Sequence, residues 1–291
     1  MRSNVNILGS YWTLAAGTAP LGQEVCAHDI HRRVECAGRA GYTGMGFWHA
    51  DLAHLRETIG FAELKSVLAS NGIVHIEVEW LNDWYGAGAA RAASDANRAL
   101  LLDAAEALGA GHIKVSDLAS EGIGLDQMTE EFATLCAQAA ERGTSILFEM
   151  LPAAFSSLPS LDQVLSLTRG AGAANGGIML DNLHIHRTGT PLSDIATKLT
   201  PSDLIGVEIN DGTWAQPVDF LDSVIHRRLL PGDGELDING FMQAVWQTGF
   251  DGPVGVEVMN EYCRYWDLET TAQVSFRKTS AVLEAARGSA S

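Results

Sequence analysis

Apolar runs of a few residues alternate with stretches of helical periodicity along the whole chain. Short apolar runs bounded by turn signals read as buried strands, and apolar positions recurring every three or four residues read as amphipathic helices. The pattern predicts eight strands, at 5–9, 43–47, 73–78, 112–115, 145–149, 177–180, 204–209 and 254–258. It predicts helices at 29–40, 52–71, 91–108, 125–142, 161–170, 192–199, 238–248 and 268–286. Most of them run into a stop signal, as at Ala40-Gly41, Asn71-Gly72, Leu108-Gly109 and Thr248-Gly249. Eight strands each followed by a helix within 291 residues predict an α/β fold. The expected architecture is a (β/α)8 TIM barrel, with 1–291 as a single domain and the barrel from 5 to 285.

A doubly wound open sheet is the alternative. It would place a glycine-rich dinucleotide turn after the first strand, and Gly9-Ser10-Tyr11-Trp12 is not one. Gly170-Ala171-Gly172 follows a helix and lacks the third glycine, so it adds no support. The long intervals 80–88 and 211–234 follow the third and seventh strands, on the side where barrels build their active sites. The chain has no Gly-x-Ser-x-Gly elbow, no Walker-type loop and no His-Glu-x-x-His, which removes serine hydrolase, P-loop and zincin chemistries.

Composition narrows the partners. Hydrophobic residues at 46% against 19% charged describe a globular chain with ample material for a core. A formal net charge of −17 repels phosphates and anionic surfaces. The closest cationic cluster is His226-Arg227-Arg228, so no nucleic acid partner is expected. No apolar run approaches the roughly 18–20 residues of a membrane span, and residues 1–6 lack the order of a secretory signal. No membrane partner and a cytoplasmic location are expected. Cys26, Cys36, Cys136 and Cys263 form no Cys-x-x-Cys pair and read as reduced thiols, mostly buried on helices.

The late strands carry the candidate chemistry. They end Phe148-Glu149, Leu180-Asp181, Val207-Glu208 and Val256-Glu257. The strand ends of a barrel converge on one mouth, so four acids 32, 27 and 49 positions apart are expected to meet there. Four carboxylates in a small volume shift one another's pKa strongly unless a cation joins them. Oxygen-only ligands favour hard Mg²⁺ or Mn²⁺, since zinc sites usually include His or Cys. His184, three residues past Asp181, is placed to bind a substrate hydroxyl or a metal ligand. Asn210 and Asp211 follow Glu208, and His49 follows Trp48 after the second strand. Glu77 and Glu79 share a strand face, with Glu79 nearer the mouth. Lys114 is open to two roles, a substrate contact or a partner for an acid inside the barrel. Trp12, Trp48, Trp80, Trp84 and Trp214 follow strands and suit the apolar faces of a sugar or cyclitol.

These residues resemble the xylose-isomerase-like barrels, also called the sugar phosphate isomerase/epimerase-like family. That superfamily includes inosose-processing enzymes, ketose 3-epimerases, 3-dehydroshikimate dehydratases and endonuclease IV. The resemblance runs from Val5 to about Ala285. It is carried by Phe148-Glu149, by 180–184 (Leu-Asp-Asn-Leu-His), by 207–211 (Val-Glu-Ile-Asn-Asp), by 230–237 and by 249–258. It implies a divalent metal, Mn²⁺ first with Mg²⁺ or Co²⁺ as alternatives, on Glu149, Asp181 and Glu257. The fourth family ligand is usually His or Gln, and Glu208 stands at that position. Either the site is harder and more anionic, or Glu208 is not a ligand. The resemblance gives Glu149 and Glu257 the acid/base role. It puts His184 and Arg228 at substrate-binding positions, joined among the candidates by Trp48, Glu79, Lys114, Asp211 and His226. Endonuclease IV needs three metals and many additional histidines, which this chain lacks. Homo-oligomerisation is expected on the same resemblance, with 258–266 as an interface or part of the mouth.

The expected activity is a metal-dependent isomerase or epimerase of sugars, keto-sugars or cyclitols. It would abstract an α-proton to give a metal-stabilised enediolate and return the proton elsewhere. A lyase or dehydratase sharing the first step, acting on a dehydroshikimate, inosose or keto-glycoside, is the alternative. A non-catalytic sugar-binding subunit is a third reading. Neutral substrates are expected over phosphorylated ones, because the acids repel phosphate and only Arg227, Arg228 and Lys114 stand near enough to counter them.

Overall fold

Eight parallel strands close on themselves in chain order, each hydrogen-bonded to the next and the last to the first. They are β1 (Ile7–Gly9), β2 (Gly44–Trp48), β3 (His75–Leu81), β4 (His112–Val115), β5 (Ser145–Glu149), β6 (Gly176–Asp181), β7 (Leu204–Ile209) and β8 (Val254–Val256). This computed structural model describes residues 5–118 and 123–288. The expectation about a leader at 1–6 falls partly on residues 1–4, which lie outside the described residues. The (β/α)8 architecture predicted from periodicity is the one observed.

Strand alternation sets the chemistry of the two faces. Ile113, Val115, Ile146, Phe148, Ile178, Leu180, Ile209, Val254 and Val256 all join the core beneath the helices and are at most 1% exposed. Their neighbours Lys114, Glu149, Asp181 and Glu208 take the opposite parity and turn inward, buried as well. The barrel interior is therefore polar at its upper end and apolar around its outside.

The helices follow the predicted periods, several with side-chain caps. Asp29 accepts from the amide of Arg32 at 3.2 Å to start Ile30–Ala40, and Asp237 accepts from that of Gly240 at 2.8 Å to start Ile238–Gln247. The single helix expected at 52–71 is instead two, His49–Thr58 and Gly60–Ser70. Gly60 sits at φ +77° between them, a left-handed turn that breaks the hydrogen-bond ladder. Short helices at Tyr11–Leu14, Asn182–Thr188 and Phe220–His226 escaped the periodicity because each is at most two turns long. The last lies within the long interval after β7. Strand β8 stops at Val256, so Glu257 stands just past it rather than within it. Among the described residues no helix is long and apolar enough to cross a membrane. All four cysteines are free, and only Cys36 and Cys136 are on α-helices.

Candidate functional site

Register brings the inward residues side by side. Glu79 pairs with Lys114 across β3 and β4, Glu77 with His112, and Asp181 with Glu208 across β6 and β7. Gly255 faces Glu208 on β8, and a Cβ there would stand 2.6 Å from the Glu208 Cγ. The glycine gives the glutamate room to lie over the neighbouring strand. One oxygen from each of Glu149, Asp181, Glu208 and Glu257 falls within 4.8 Å of the others, as does a second grouping of Glu149, Asp181 and His184. The four strand-end acids meet, as the sequence predicts.

Two buried cations hold the cluster from opposite partners. Lys114 Nζ donates to Glu208 Oε1 at 2.8 Å and to Glu257 Oε1 at 3.4 Å, and lies 3.0 Å from Glu79 Oε2 and 3.6 Å from Glu77 Oε1. An ammonium has three protons for these four carboxylates, and Glu77 Oε1 and Glu79 Oε2 are left without an aligned hydrogen bond. Arg228 Nη1 lies 2.6 Å from Asp181 Oδ2 and 2.8 Å from Glu257 Oε2. Asn210 Nδ2 donates to both oxygens of Asp181, at 3.0 and 2.9 Å. His184 Nε2 approaches Glu149 Oε1 at 3.5 Å.

Six carboxyls (Glu77, Glu79, Glu149, Asp181, Glu208 and Glu257) thus face two permanent cations. Burial raises Glu149 well above the carboxylate range, with Lys114 opposing and Glu257 and Asp181 adding to the rise. Burial also lifts Glu208 well above its usual value, with Glu257 reinforcing it against Lys114. Glu79 rises to about 7, by burial against the pull of Lys114. Burial acts the same way on Glu77, but Lys114 and His112, whose Nε2 is 2.6 Å away, outweigh it and bring the carboxyl to about 2. Asp181 is lowered despite its burial, chiefly by Arg228. Desolvation lowers His184 to about 4, so its imidazole is neutral at pH 7. Glu208 Oε2, His184 Nδ1 and Asn210 Oδ1 are buried with no hydrogen-bond partner. More carboxyls than cations, an orphaned carboxyl oxygen and an oxygen-rich donor set fit a divalent cation.

A cavity of about 330 Å³ opens above the acids. Glu79, Glu149, His184, Arg228 and Glu257 reach its lining, and Trp12, Trp48 and Trp80 are among its walls. Asp181 and Glu208 lie below it, 0 and 1% exposed. Of the other candidates, Lys114 is fully buried among carboxylates and does not line the cavity, which favours the internal-partner role over a substrate contact. Asp211 takes no place at the mouth. Its carboxylate accepts from the amides of Gly212, Gly232 and Leu236 and shapes the loop after β7. His226 faces Arg264, whose Nη2 lies 3.0 Å from its Nδ1. Arg227 is spent on Asp222 and Glu261. Trp84 is core, 1% exposed, with its indole N–H donating to the Ser116 carbonyl at 2.8 Å. Trp214 is 61% exposed and stands against His186, outside this cavity.

Asn210 was visible only as a polar neighbour of Glu208, and its bond to Asp181 depends on strand pairing. The aliphatic lining at Leu221, Val224 and Ile225 was missed altogether. Its only signal was the length of the interval that contains it.

The family model described as "Xylose isomerase-like TIM barrel" matches residues 34–282. The chain belongs to that family. Among curated proteins it is 27% identical to the 3-dehydroshikimate dehydratase of Pseudomonas aeruginosa over 236 residues, 80% of this chain and 36% of that protein. It is 24% identical to the inosose isomerase of Bacillus velezensis over 141 residues, 48% of this chain and 49% of that protein. The chain thus spans about a third of the dehydratase and half of the isomerase in length. Among solved structures, a xylose isomerase-like TIM barrel/4-hydroxyphenylpyruvate dioxygenase fusion protein superposes with TM-score 0.83 at 22% identity, over 98% of this chain and 43% of that one. The IOLI protein with a bound zinc atom gives 0.79 at 16%, over 96% and 98%. An L-ribulose 3-epimerase gives 0.73 at 17%, over 98% and 97%. These structural likenesses establish the shared barrel.

Proposed function

We propose that the chain is a divalent-metal-dependent enzyme that moves a proton on a carbon next to a carbonyl in a keto-sugar or cyclitol, as an isomerase or epimerase. The observation that carries this reading is the contrast between Glu149 and Glu257 in one cavity. Glu257 touches two cations, Lys114 and Arg228. Glu149 touches neither, and burial raises its proton affinity. Two carboxyls held in such different surroundings suit an acid and a base. Glu149, Asp181, Glu208 and Glu257 would hold the cation, with Mn²⁺ first and Mg²⁺, Co²⁺ or Zn²⁺ as competitors. A bound cation there would polarise the substrate carbonyl and make the adjacent C–H more acidic. One glutamate then takes that proton and the other returns one. Neutral His184 and the Arg228 guanidinium, both lining the cavity, bind substrate oxygens. Among the described residues Arg228 is the one lysine or arginine in the lining, and both its acid partners neutralise it, so neutral substrates suit the site better than phosphorylated ones.

A dehydratase or lyase reading is favoured by one finding, the 27% identity over 80% of the chain to a dehydratase. It shares the first proton abstraction and differs in expelling a β-oxygen. Elemental analysis of wild type and Glu257→Gln, before and after EDTA, tests the common core. Metal bound by the wild type and lost by the variant is expected, together with exchange of substrate α-protons for deuterium in D₂O across a panel of keto-sugars and inososes. A wild type that takes up no metal and exchanges no proton would overturn the proposal. Elimination products in that panel would select the lyase reading.

A further inference from the structure

Above its acid floor the cavity is mostly apolar, with Glu24 and Asn82 as further polar side chains in the lining. Above Glu149, His184, Arg228 and Glu257, the lining passes to Trp12, Trp48, Leu221, Val224, Ile225 and Met259. Trp12 and Trp48 pack against each other with ring centroids 4.8 Å apart, and the Trp48 indole N–H is already used, donating to Glu24 Oε2 at 3.1 Å. The lining also includes residues of the helix Phe220–His226, none of whose residues is buried, and its Val224 and Ile225, like Trp48, pack against the cluster that holds Trp12 and Met259. Leu221 is 46% exposed on that helix, and Leu21, also in the lining, is 78% exposed. Large aliphatic side chains facing water in a pocket are costly unless a ligand covers them.

A free sugar or cyclitol explains the floor and fails to explain this wall. Its hydroxyls project around the whole ring perimeter, and each one set against leucine, valine or isoleucine would lose its water without a new partner. Aromatic rings can take the C–H face of a sugar, but the aliphatic side chains of the lining offer no hydrogen bond to its edge. The space of about 330 Å³ also reaches the range, about 300–1,000 Å³, of pockets for larger organic ligands.

We infer that the substrate is amphiphilic, a polyhydroxylated head joined to an apolar group, with the head on the acid floor and the apolar group against the apolar lining formed by Trp12, Trp48, Leu221, Val224 and Ile225. The inference rests on the proposed function for the chemistry of the head, and on the cavity wall alone for the apolar group. An aryl aglycone is the simplest such group, since an aromatic ring covers indole and aliphatic carbon alike. Specificity then comes from both ends, since a bare sugar leaves the wall wet and a bare arene leaves the floor unpaired.

The test is a calorimetric comparison of 4-nitrophenyl β-D-glucopyranoside with methyl β-D-glucopyranoside on the Mn²⁺-loaded full chain. These two share the head and differ in the apolar group. At least about tenfold tighter binding of the aryl compound is expected, because covering one aromatic ring removes enough apolar surface to supply that factor. In Leu221→Ser/Val224→Ser the aryl advantage should fall to within about threefold, the ratio of the two ligands serving as the internal control for folding. Equal affinities, no binding of either ligand, or an aryl advantage unchanged in the double variant would each overturn the inference. The deuterium-exchange result separates the two levels. Exchange without an aryl advantage removes the apolar subsite and keeps the chemistry, and an aryl advantage without exchange does the reverse.

Discussion

Lys114 Nζ and Glu208 Oε1 are 2.8 Å apart although the residues are separated by 94 positions and stand on β4 and β7. The bond spans the barrel interior, which neither strand can do with its immediate neighbours. It places a fixed positive charge under the acid cluster, where the ammonium also reaches Glu79 and Glu257. Burial opposes its charge, yet the four surrounding carboxyls raise its pKa well above the usual lysine value. Lys114 thus acts as a permanent internal counter-ion to part of the cluster, and of the four strand-end acids Glu149 is the one that contacts neither Lys114 nor Arg228.

Replacing that lysine should be severe. Lys114→Met keeps the volume and removes the charge, so four buried carboxyls lose their shared partner. Breaking a buried ion pair from one side costs about 3–5 kcal/mol, and a loss of that size is expected in urea unfolding of the metal-free protein. A loss below about 1 kcal/mol, the value of a surface pair, would show that the lysine does not balance the cluster.

Asn210 should matter to the metal more than to the fold. Its amide donates to both oxygens of Asp181, and such orienting partners typically change metal affinity about 10–100-fold. Asn210→Leu is expected to weaken Mn²⁺ binding by that factor in a competition titration with a chelator, with the far-UV circular dichroism unchanged. Unaltered affinity would mean that Arg228, 2.6 Å from Asp181 Oδ2, and the Leu183 amide, which donates to Asp181 Oδ1 at 2.7 Å, suffice to fix the carboxylate.

The metal-free protein should lose stability as pH rises through neutrality. Glu79 is raised to about 7 and Glu149 and Glu208 lie well above 4.5, so the folded chain holds protons that the unfolded chain has already released. Their contribution is present below the unfolded value and is lost as pH climbs through the folded ones. His184, lowered to about 4, acts only below about 6.5, where stability falls with falling pH. Between about pH 4.5 and 6.5 the two effects oppose each other, and above that range only the carboxyls act. Thermal melting of EDTA-treated protein should therefore fall as pH rises from about 6.5 through the folded value of Glu79 near 7 and on through those of Glu149 and Glu208, and saturating Mn²⁺ should flatten that slope, because ligation displaces the same protons. A metal-free melting temperature that rises over this interval would contradict the assigned proton affinities.

Barrel, strands and acids were legible in the chain because each depends on local pattern. Apolar runs such as Ile146-Leu147-Phe148 mark a strand wherever it packs, and an acid directly after such a run must emerge at its end. The four-acid meeting then followed from barrel closure alone. Two further features of the sequence, Lys114 and Glu77, could not be resolved by parity, because parity says that a residue points inward and not what it finds there. Pairing register and cross-barrel distance decided that Lys114 serves Glu208, Glu257 and Glu79, and that Glu77 serves His112 and Lys114.

The loops were the least legible. Asp211, His226 and Trp214 had the right residue types in the right interval, and loop packing turned them to amide caps, Arg264 and His186. The apolar wall at Leu221, Val224 and Ile225 left no trace in a pattern search, since a two-turn helix is too short to set a period. Short-range hydrophobic order thus determined the barrel and the height at which its acids stand. Only the tertiary structure decided which charges meet and which side chains face the ligand, because those contacts join residues from separate strands and loops whose approach no local preference specifies.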